Sequence, residues 1–224
     1  MGSGKSETAR KWVQNLIDAE EHDWDLLFWF DFSQTVNQAT FVNELLHAML
    51  GREYDERDFG TANENTKILE ICRYISMHRV LLVLDGYHHL QDMKAEKTHT
   101  LGHLPITSSV KQILEYVAFA QHESYCLAIG RLPMQEFADY NTYRPRIISR
   151  LSTQRGIELL ISLGVTDTEE NCEKAVEKWR GHTLALILLA SGAEDGILPD
   201  VNRIAELDTV VEPLIEYHDE SLTK

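Results

Sequence analysis

The sequence has no apolar run long enough to cross a membrane, and it is poor in basic residues. Its 21 lysines and arginines stand against 36 aspartates and glutamates, which gives a formal net charge of -15. This balance disfavours general binding of nucleic acid or anionic lipid, so we expect neither nucleic acid nor a membrane as a partner. An anionic ligand would therefore need a local pocket.

Cysteines are scarce, and the histidines do not follow a metal-binding spacing. The three cysteines, Cys72, Cys126 and Cys172, are far apart and odd in number, which favours buried thiols in a reducing cytoplasm over a disulfide framework or a zinc site. Ten histidines are present, yet no HExxH motif occurs, and the adjacent His88 and His89 would point different ways on regular structure. No signal peptide precedes the first motif, so we expect a cytoplasmic protein.

What the sequence does contain begins with GSGKS at residues 2–6, the closing half of a phosphate-binding P-loop. Glycines allow backbone N–H groups to close around phosphate oxygens, and helical spacing over residues 8–19 places a helix N-terminus behind them. Lys5 would then reach the β- and γ-phosphates, and the Ser6 hydroxyl would hold Mg²⁺. The first glycine of the full G-x-x-x-x-G-K-[ST] pattern is missing, and tag remnants also begin Met-Gly-Ser, so this motif needs support from the rest of the chain.

Two apolar stretches have the character of buried strands. Residues 26–32, LLFWFDF, are almost wholly apolar and aromatic, as expected for a parallel strand covered on both faces. Residues 80–85, VLLVLD, form an apolar strand that ends in Asp85, as a Walker B element requires, and a carboxylate at that edge of an open sheet can hold Mg²⁺. A lone aspartate at a strand end is more often a turn former, but its place after GKS and a helix favours the Walker B interpretation.

Helical and strand patterns alternate along the first two thirds of the chain, ending with a strand at Tyr125–Ile129. This order predicts an α/β fold with a parallel sheet and right-handed crossovers. Taken with the GSGKS and VLLVLD motifs, it is typical of a P-loop NTPase with a three-layer αβα arrangement. A polar stretch over residues 91–108 is predicted to be a long loop, and only helical patterns follow Pro145. We therefore predict an NTPase core over 1–148, a small helical subdomain over 149–200 and a helical linker over 201–224.

With these elements placed, the chain resembles the STAND class of P-loop NTPases, the group that holds NACHT and NB-ARC domains, and looks closest to the bacterial multidomain type. The helix GHTLAL, which follows a helix and turn ending in LGV, is the most specific feature because ordinary kinases and GTPases lack it. The segments that carry the resemblance are GSGKS at 2–6, LLFWFDFSQ at 26–34, RVLLVLDGYHHLQD at 79–92, YCLAIGRLP at 125–133, RLSTQRGIELLISLGV at 150–165 and RGHTLALILLA at 180–190.

The resemblance implies roles for individual residues. Lys5, Asp85 and Arg131 would be the catalytic set, with Ser6 and Asp85 on Mg²⁺ and Arg131 sensing the γ-phosphate of ATP. From the residues alone, Arg131 could equally be a solvated charge at a strand end, and the GHTLAL segment could be a plain core helix. The predicted nucleotide-binding residues are Gly2, Ser3, Gly4, Lys5, Ser6, Glu7, Gly181, His182 and Thr183.

Several departures from the family pattern bear on activity. Thr183 stands where relatives often have proline, and His88 and His89 stand where many NACHT relatives have acidic residues. The carboxylate that would polarise the attacking water is therefore missing from its usual place, so we expect weak ATP hydrolysis. Winged-helix, sensor and effector domains usually accompany such modules, and we expect them to be absent from this chain.

The function implied by the resemblance is an ATP/ADP-binding signalling switch. ADP would hold a closed monomer, whereas ATP and a sensed partner would favour an open form that self-associates. No N/T-K-x-D guanine-reading motif occurs, which weakly agrees with ATP. Two alternatives remain open: a P-loop small-molecule kinase, with Arg144 and Arg146 as the paired candidates for a lid, and a degenerate interaction module without catalysis.

A strand normally leads into the glycine loop of a P-loop protein, and this chain has no residues for it before Gly2. We expect that strand to lie between the Walker B strand and the sensor strand, so the first strand of the sheet is predicted to be missing. The segments 80–84 and 125–129 would then each present an unpaired edge in the middle of the sheet. On this argument residues 1–224 would be an incomplete fold that is aggregation-prone and binds nucleotide poorly.

Overall fold

The computed structural model describes residues 4–19, 23–91 and 108–194. Most of the predicted polar loop, the predicted linker over 201–224, and the residues Gly2 and Ser3 lie outside these ranges. The chain divides into two compact units, one made of residues 1–11 and 147–224 and the other of residues 12–146. The predicted domain limits themselves stay a prediction.

The described residues form three strands and eight α-helices in an alternating order over the first two thirds of the chain, as predicted. Short 3₁₀ turns follow β2, at Tyr87–His89, and β3, at Gln135–Phe137. None of the helices in the described ranges is long and apolar enough to cross a membrane. The elements are α1 (Lys5–Asp18), β1 (Leu26–Asp31), α2 (Gln38–Leu50), α3 (Glu53–Glu56), α4 (Glu64–Met77), β2 (Val80–Asp85), α5 (Ser109–Phe119), β3 (Tyr125–Ile129), α6 (Thr153–Ser162), α7 (Glu169–Lys178) and α8 (Thr183–Glu194).

The three strands form one parallel sheet in the order β1-β2-β3. In its register Asp31 is the Cα partner of Asp85, and Asp85 is the partner of Ile129, so all three strands end at the same edge. Every residue of β2 is buried, which matches its central place and its unbroken apolar run. The predicted parallel α/β sheet is confirmed.

The direct pairing of β2 with β3 corrects the expectation that each of these strands would present an unpaired edge in the middle of the sheet. The ladder runs from the Leu81–Tyr125 pair to the Asp85–Ile129 pair and leaves no space for a strand between. The physical reason is that β3 follows β2 through the single crossover helix α5, and such a crossover commonly places the next strand beside the last. Because β2 is bonded to a strand on each side, the two unpaired edges expected in mid-sheet are not formed, and the instability argued from them loses its basis.

The core of this unit lies on one face of the sheet, against α2, α4 and α5. Alternate residues along each strand point to that face, including Phe28 and Phe30 of β1 and Leu82 and Leu84 of β2. Phe41 of α2 packs against Phe30 with ring centroids 5.2 Å apart. Asp31 and Asp85 alternate with these residues and therefore fall on the opposite face.

Helices α6, α7 and α8 pack around a second apolar core in the other unit, as their helical patterns predict. Side chains of Ser152 and Thr168 cap the first two of these helices by accepting the N–H groups of Arg155 and Asn171. Leu160, Cys172, Ala175, Leu186 and Leu189 are fully or almost fully buried between them.

Candidate functional site

Gly4, the last glycine of the GSGKS motif, leads directly into a helix, as the motif predicts. Gly4 has a φ of 73°, and α1 begins at the next residue, Lys5. The N–H of Thr8 donates to the Gly4 carbonyl at 2.8 Å, which is the bond that opens the helical ladder. The N–H groups of Lys5, Ser6 and Glu7 precede this bond and sit at the positive end of the helix dipole. Such an end is suited to phosphate oxygens.

The N-terminus of α8 lies beside Gly4 within the same unit. A Cβ placed on Gly4 would be 3.9 Å from Cγ2 of Thr183, the first residue of α8. Proline is tolerated at that position because the N–H there has no intrahelical partner. In this chain α8 begins at Thr183 without a proline, and Gly4 and Thr183 of two predicted nucleotide-binding segments lie next to each other.

His182 and Gly181 hold the start of α8 in place. His182 is buried, and its Nδ1 accepts the N–H of Ala185 at 3.3 Å, which caps the helix. Gly181 has a φ of 66°, and its carbonyl accepts the N–H of Leu151 at 3.0 Å. A Cβ on Gly181 would lie 2.0 Å from the Leu151 carbonyl oxygen, so no other residue fits there without a backbone shift. The contacts of this segment are those of a structural turn between two helices.

In the other unit, two carboxylates end neighbouring strands. Asp85 ends β2 and is buried, and its carbonyl accepts the N–H of Phe32 at 2.9 Å. Its register partner Asp31 ends β1 on the same face, and adjacent strands lie about 4.8 Å apart. Asp31 was not among the predicted site residues. The similar strand endings LLFWFD and VLLVLD could have indicated it. However, an aspartate at a strand end also forms turns, and Asp31 does accept the N–H of Ser33 at 2.8 Å.

Arg131 lies at the same edge, two residues beyond the end of β3. Its neighbours are held by Tyr87, whose hydroxyl donates to the Leu132 carbonyl. A Cβ placed on Gly130 would lie 2.3 Å from Cε1 of Tyr87, so the ring lies directly against the backbone there. Burial raises the pKa of the Tyr87 hydroxyl above its ordinary value, and the group therefore remains a donor at neutral pH.

No acidic residue follows Asp85 closely along the chain. The 3₁₀ turn after it carries His88 and His89, whose ring centroids are 4.2 Å apart, and His89 is exposed. Within the described ranges, no group of three or more histidine, cysteine, aspartate or glutamate side chains could hold a metal ion. Lys5 and Ser6 belong to one unit and Asp85 to the other, so their convergence on one site stays a prediction.

Comparison with known families bears directly on this arrangement. Residues 1–99 match the family model described as NB-ARC domain, and the matched part takes in the glycine loop, β1 and β2. These residues are an NB-ARC-like segment of a STAND-class P-loop NTPase. The predicted NB-ARC-like family and P-loop fold are thereby confirmed for residues 1–99. No curated protein and no solved structure matches the chain.

NB-ARC domains are nucleotide-binding modules of signalling NTPases, and they generally bind ATP or ADP and self-associate. The matched segment is therefore a nucleotide-binding module of a signalling NTPase. The start of α1 fits the phosphates of a nucleotide, since it offers a helix N-terminus. Arg131 and Gly181–Thr183 lie outside the matched residues.

Proposed function

We propose that this chain is the ATP/ADP-binding switch module of a cytoplasmic STAND-type signalling protein. It changes conformation with the bound nucleotide, self-associates in the ATP form and hydrolyses ATP slowly. The observation that carries the proposal is a glycine loop opening onto the N-terminus of α1 inside a segment matched to NB-ARC. The three free cysteines agree with a reducing compartment.

Each proposed role follows from the chemistry of the side chain. Lys5 binds the β- and γ-phosphates together with the N–H groups at the start of α1. Ser6 and Asp85 hold Mg²⁺, which when bound neutralises charge on those phosphates. Arg131 binds the γ-phosphate, which only ATP carries, and Gly181–Thr183 lie near the base or ribose. A nucleotide can shift the conformational balance only by this difference in contacts between its ATP and ADP forms.

Replacing Lys5 with alanine tests the phosphate site. Loss of a charge-assisted hydrogen bond should weaken Mg-ADP and Mg-ATP binding by about 10- to 100-fold, as measured by isothermal titration calorimetry. Lys11→Ala is the matched control, because Lys11 is an exposed lysine on the same helix and its loss removes the same charge. Equal weakening by both variants would contradict a specific role for Lys5, and failure of the unmodified protein to bind either nucleotide would favour the degenerate interaction module.

Replacing Asp85 with asparagine tests its proposed role as a ligand of Mg²⁺. If Ser6 and Asp85 hold the same Mg²⁺, the cation should raise ATP affinity in the unmodified protein, and Asp85→Asn should lower that gain by about tenfold. Asp139→Asn removes one negative charge from an exposed position of the same unit and serves as the control. Affinities would be measured with Mg²⁺ and with EDTA. An unchanged Mg²⁺ effect in Asp85→Asn would show that Asp85 is not at the nucleotide.

A further inference from the structure

The side chain of Tyr87 touches both chain neighbours of Arg131. Its ring lies against the Gly130 backbone, where an added Cβ would be 2.3 Å from Cε1 and 2.5 Å from Cζ. Its hydroxyl donates to the carbonyl of Leu132, on the other side of Arg131. Tyr87 is only 4% exposed, so water does not compete well for either contact. One side chain therefore fixes the backbone on both sides of the arginine.

The other end of Tyr87 is tied to the edge of the sheet that carries Asp85. Only Gly86 separates the two residues, and it packs closely against the turn that follows β1. A Cβ on Gly86 would lie 3.2 Å from the Ser33 nitrogen and 3.5 Å from Oδ1 of Asp31. The backbone from Asp85 to Tyr87 is consequently held between neighbouring strand ends, and Tyr87 transmits that position to the residues around Arg131.

The far side of the loop that contains Arg131 is anchored by side chains other than Tyr87. Met134 is buried, and its N–H donates to the Tyr143 hydroxyl at 2.9 Å. Phe137 is buried against Tyr143, with ring centroids 6.3 Å apart. Removing the Tyr87 hydroxyl should therefore loosen the stretch next to Arg131 without releasing the rest of the loop.

We propose that Tyr87 is a positioning residue, which sets the place of Arg131 relative to Asp85 and so determines how strongly the protein distinguishes ATP from ADP. The inference rests on the proposed function, in which Arg131 binds the γ-phosphate. Tyr87 itself need not touch the nucleotide. Its effect should appear only on a ligand that carries a γ-phosphate and only while Arg131 is present.

The test compares the affinities of the folded full chain for Mg-AMP-PNP and Mg-ADP in four proteins: the unmodified chain, Tyr87→Phe, Arg131→Ala and the double variant. Tyr87→Phe keeps the ring on Gly130 and removes only the hydroxyl. We expect it to weaken Mg-AMP-PNP binding by about three- to tenfold, the size of one hydrogen bond, and to change Mg-ADP binding by less than about twofold. In the Arg131→Ala background the Tyr87 substitution should have no further effect on the ratio of the two affinities.

Tyr143→Phe is the matched control, because it also removes a tyrosine hydroxyl from a hydrogen bond in this loop, but one made to Met134 and not to a chain neighbour of Arg131. It should change both affinities equally or not at all. Thermal unfolding of each variant separates loss of the fold from loss of discrimination. Equal weakening of both ligands by Tyr87→Phe, or a Tyr87 effect that persists without Arg131, overturns the positioning role alone. If the unmodified chain binds neither nucleotide, the proposed function fails first and the positioning role fails with it.

Discussion

Replacing Gly181 with alanine is expected to lower the free energy of unfolding of the helical unit by about 3 kcal/mol or more. Two costs combine. An alanine at a φ of 66° is held in the left-handed region, which costs about 1–2 kcal/mol, and its Cβ would lie 2.0 Å from the Leu151 carbonyl oxygen. Because the obstacle is backbone, relief requires Leu151 to move and strains the 3.0 Å hydrogen bond from its N–H to the Gly181 carbonyl.

The measurement is thermal unfolding monitored by circular dichroism. A loss of free energy of this size lowers the melting temperature of a small unit by on the order of 10–20 °C. Gly60→Ala is the control, because an added Cβ there meets no atom within 4 Å. The free energy of unfolding of that variant should lie within about 0.5 kcal/mol of the value for the unmodified protein. A stable, fully helical Gly181→Ala protein would show that the turn between α7 and α8 tolerates a side chain.

Replacing His89 with glutamate is expected to raise ATP turnover by about 100- to 10,000-fold, the range that a positioned general base supplies. The unmodified protein should turn over slowly, because the residues just after Asp85 include no carboxylate and an aspartate bound to Mg²⁺ is a poor base. His89 is exposed at the end of the 3₁₀ turn, so a carboxylate there can meet solvent water without disturbing the buried strand.

Phosphate release under single-turnover conditions measures the effect directly. His89→Gln is the matched control, since glutamine has the length of glutamate but cannot take up the proton of the attacking water. Its turnover should remain at the level of the unmodified protein. Rapid turnover by the unmodified protein would count against the argument, as would equal rates in the glutamine and glutamate variants.

The sequence predicts the elements of the fold well because their signals are local. β2 is visible in the unbroken apolar run VLLVLD, and α1 in the apolar spacing that follows GSGKS. The lateral order of the strands has no such signal, because it depends on where each crossover returns. The expectation of unpaired edges on β2 and β3 was therefore wrong, although each strand was placed correctly along the chain.

The same distinction explains which site residues were found. Lys5, Ser6 and Asp85 belong to short motifs, whereas Asp31 becomes a candidate only through its register with Asp85. The Tyr87 ring and the Gly130 backbone are in contact although they lie far apart in the chain. Neither the composition of the sequence nor its hydrophobic periodicity predicts that contact. Residues whose roles depend on distant partners become visible only in three dimensions.

The parallel order β1-β2-β3 also has a consequence for how fast the protein folds. Each strand pair closes only after an intervening helical segment has been placed, so every ladder in the described sheet joins residues distant in sequence. Loop closure of this kind slows folding, whereas neighbouring helices such as α6 and α7 meet through short connections. The sheet, whose edge carries Asp31, Asp85 and Arg131, should therefore be the last part of the protein to form. Its formation should set the overall folding rate.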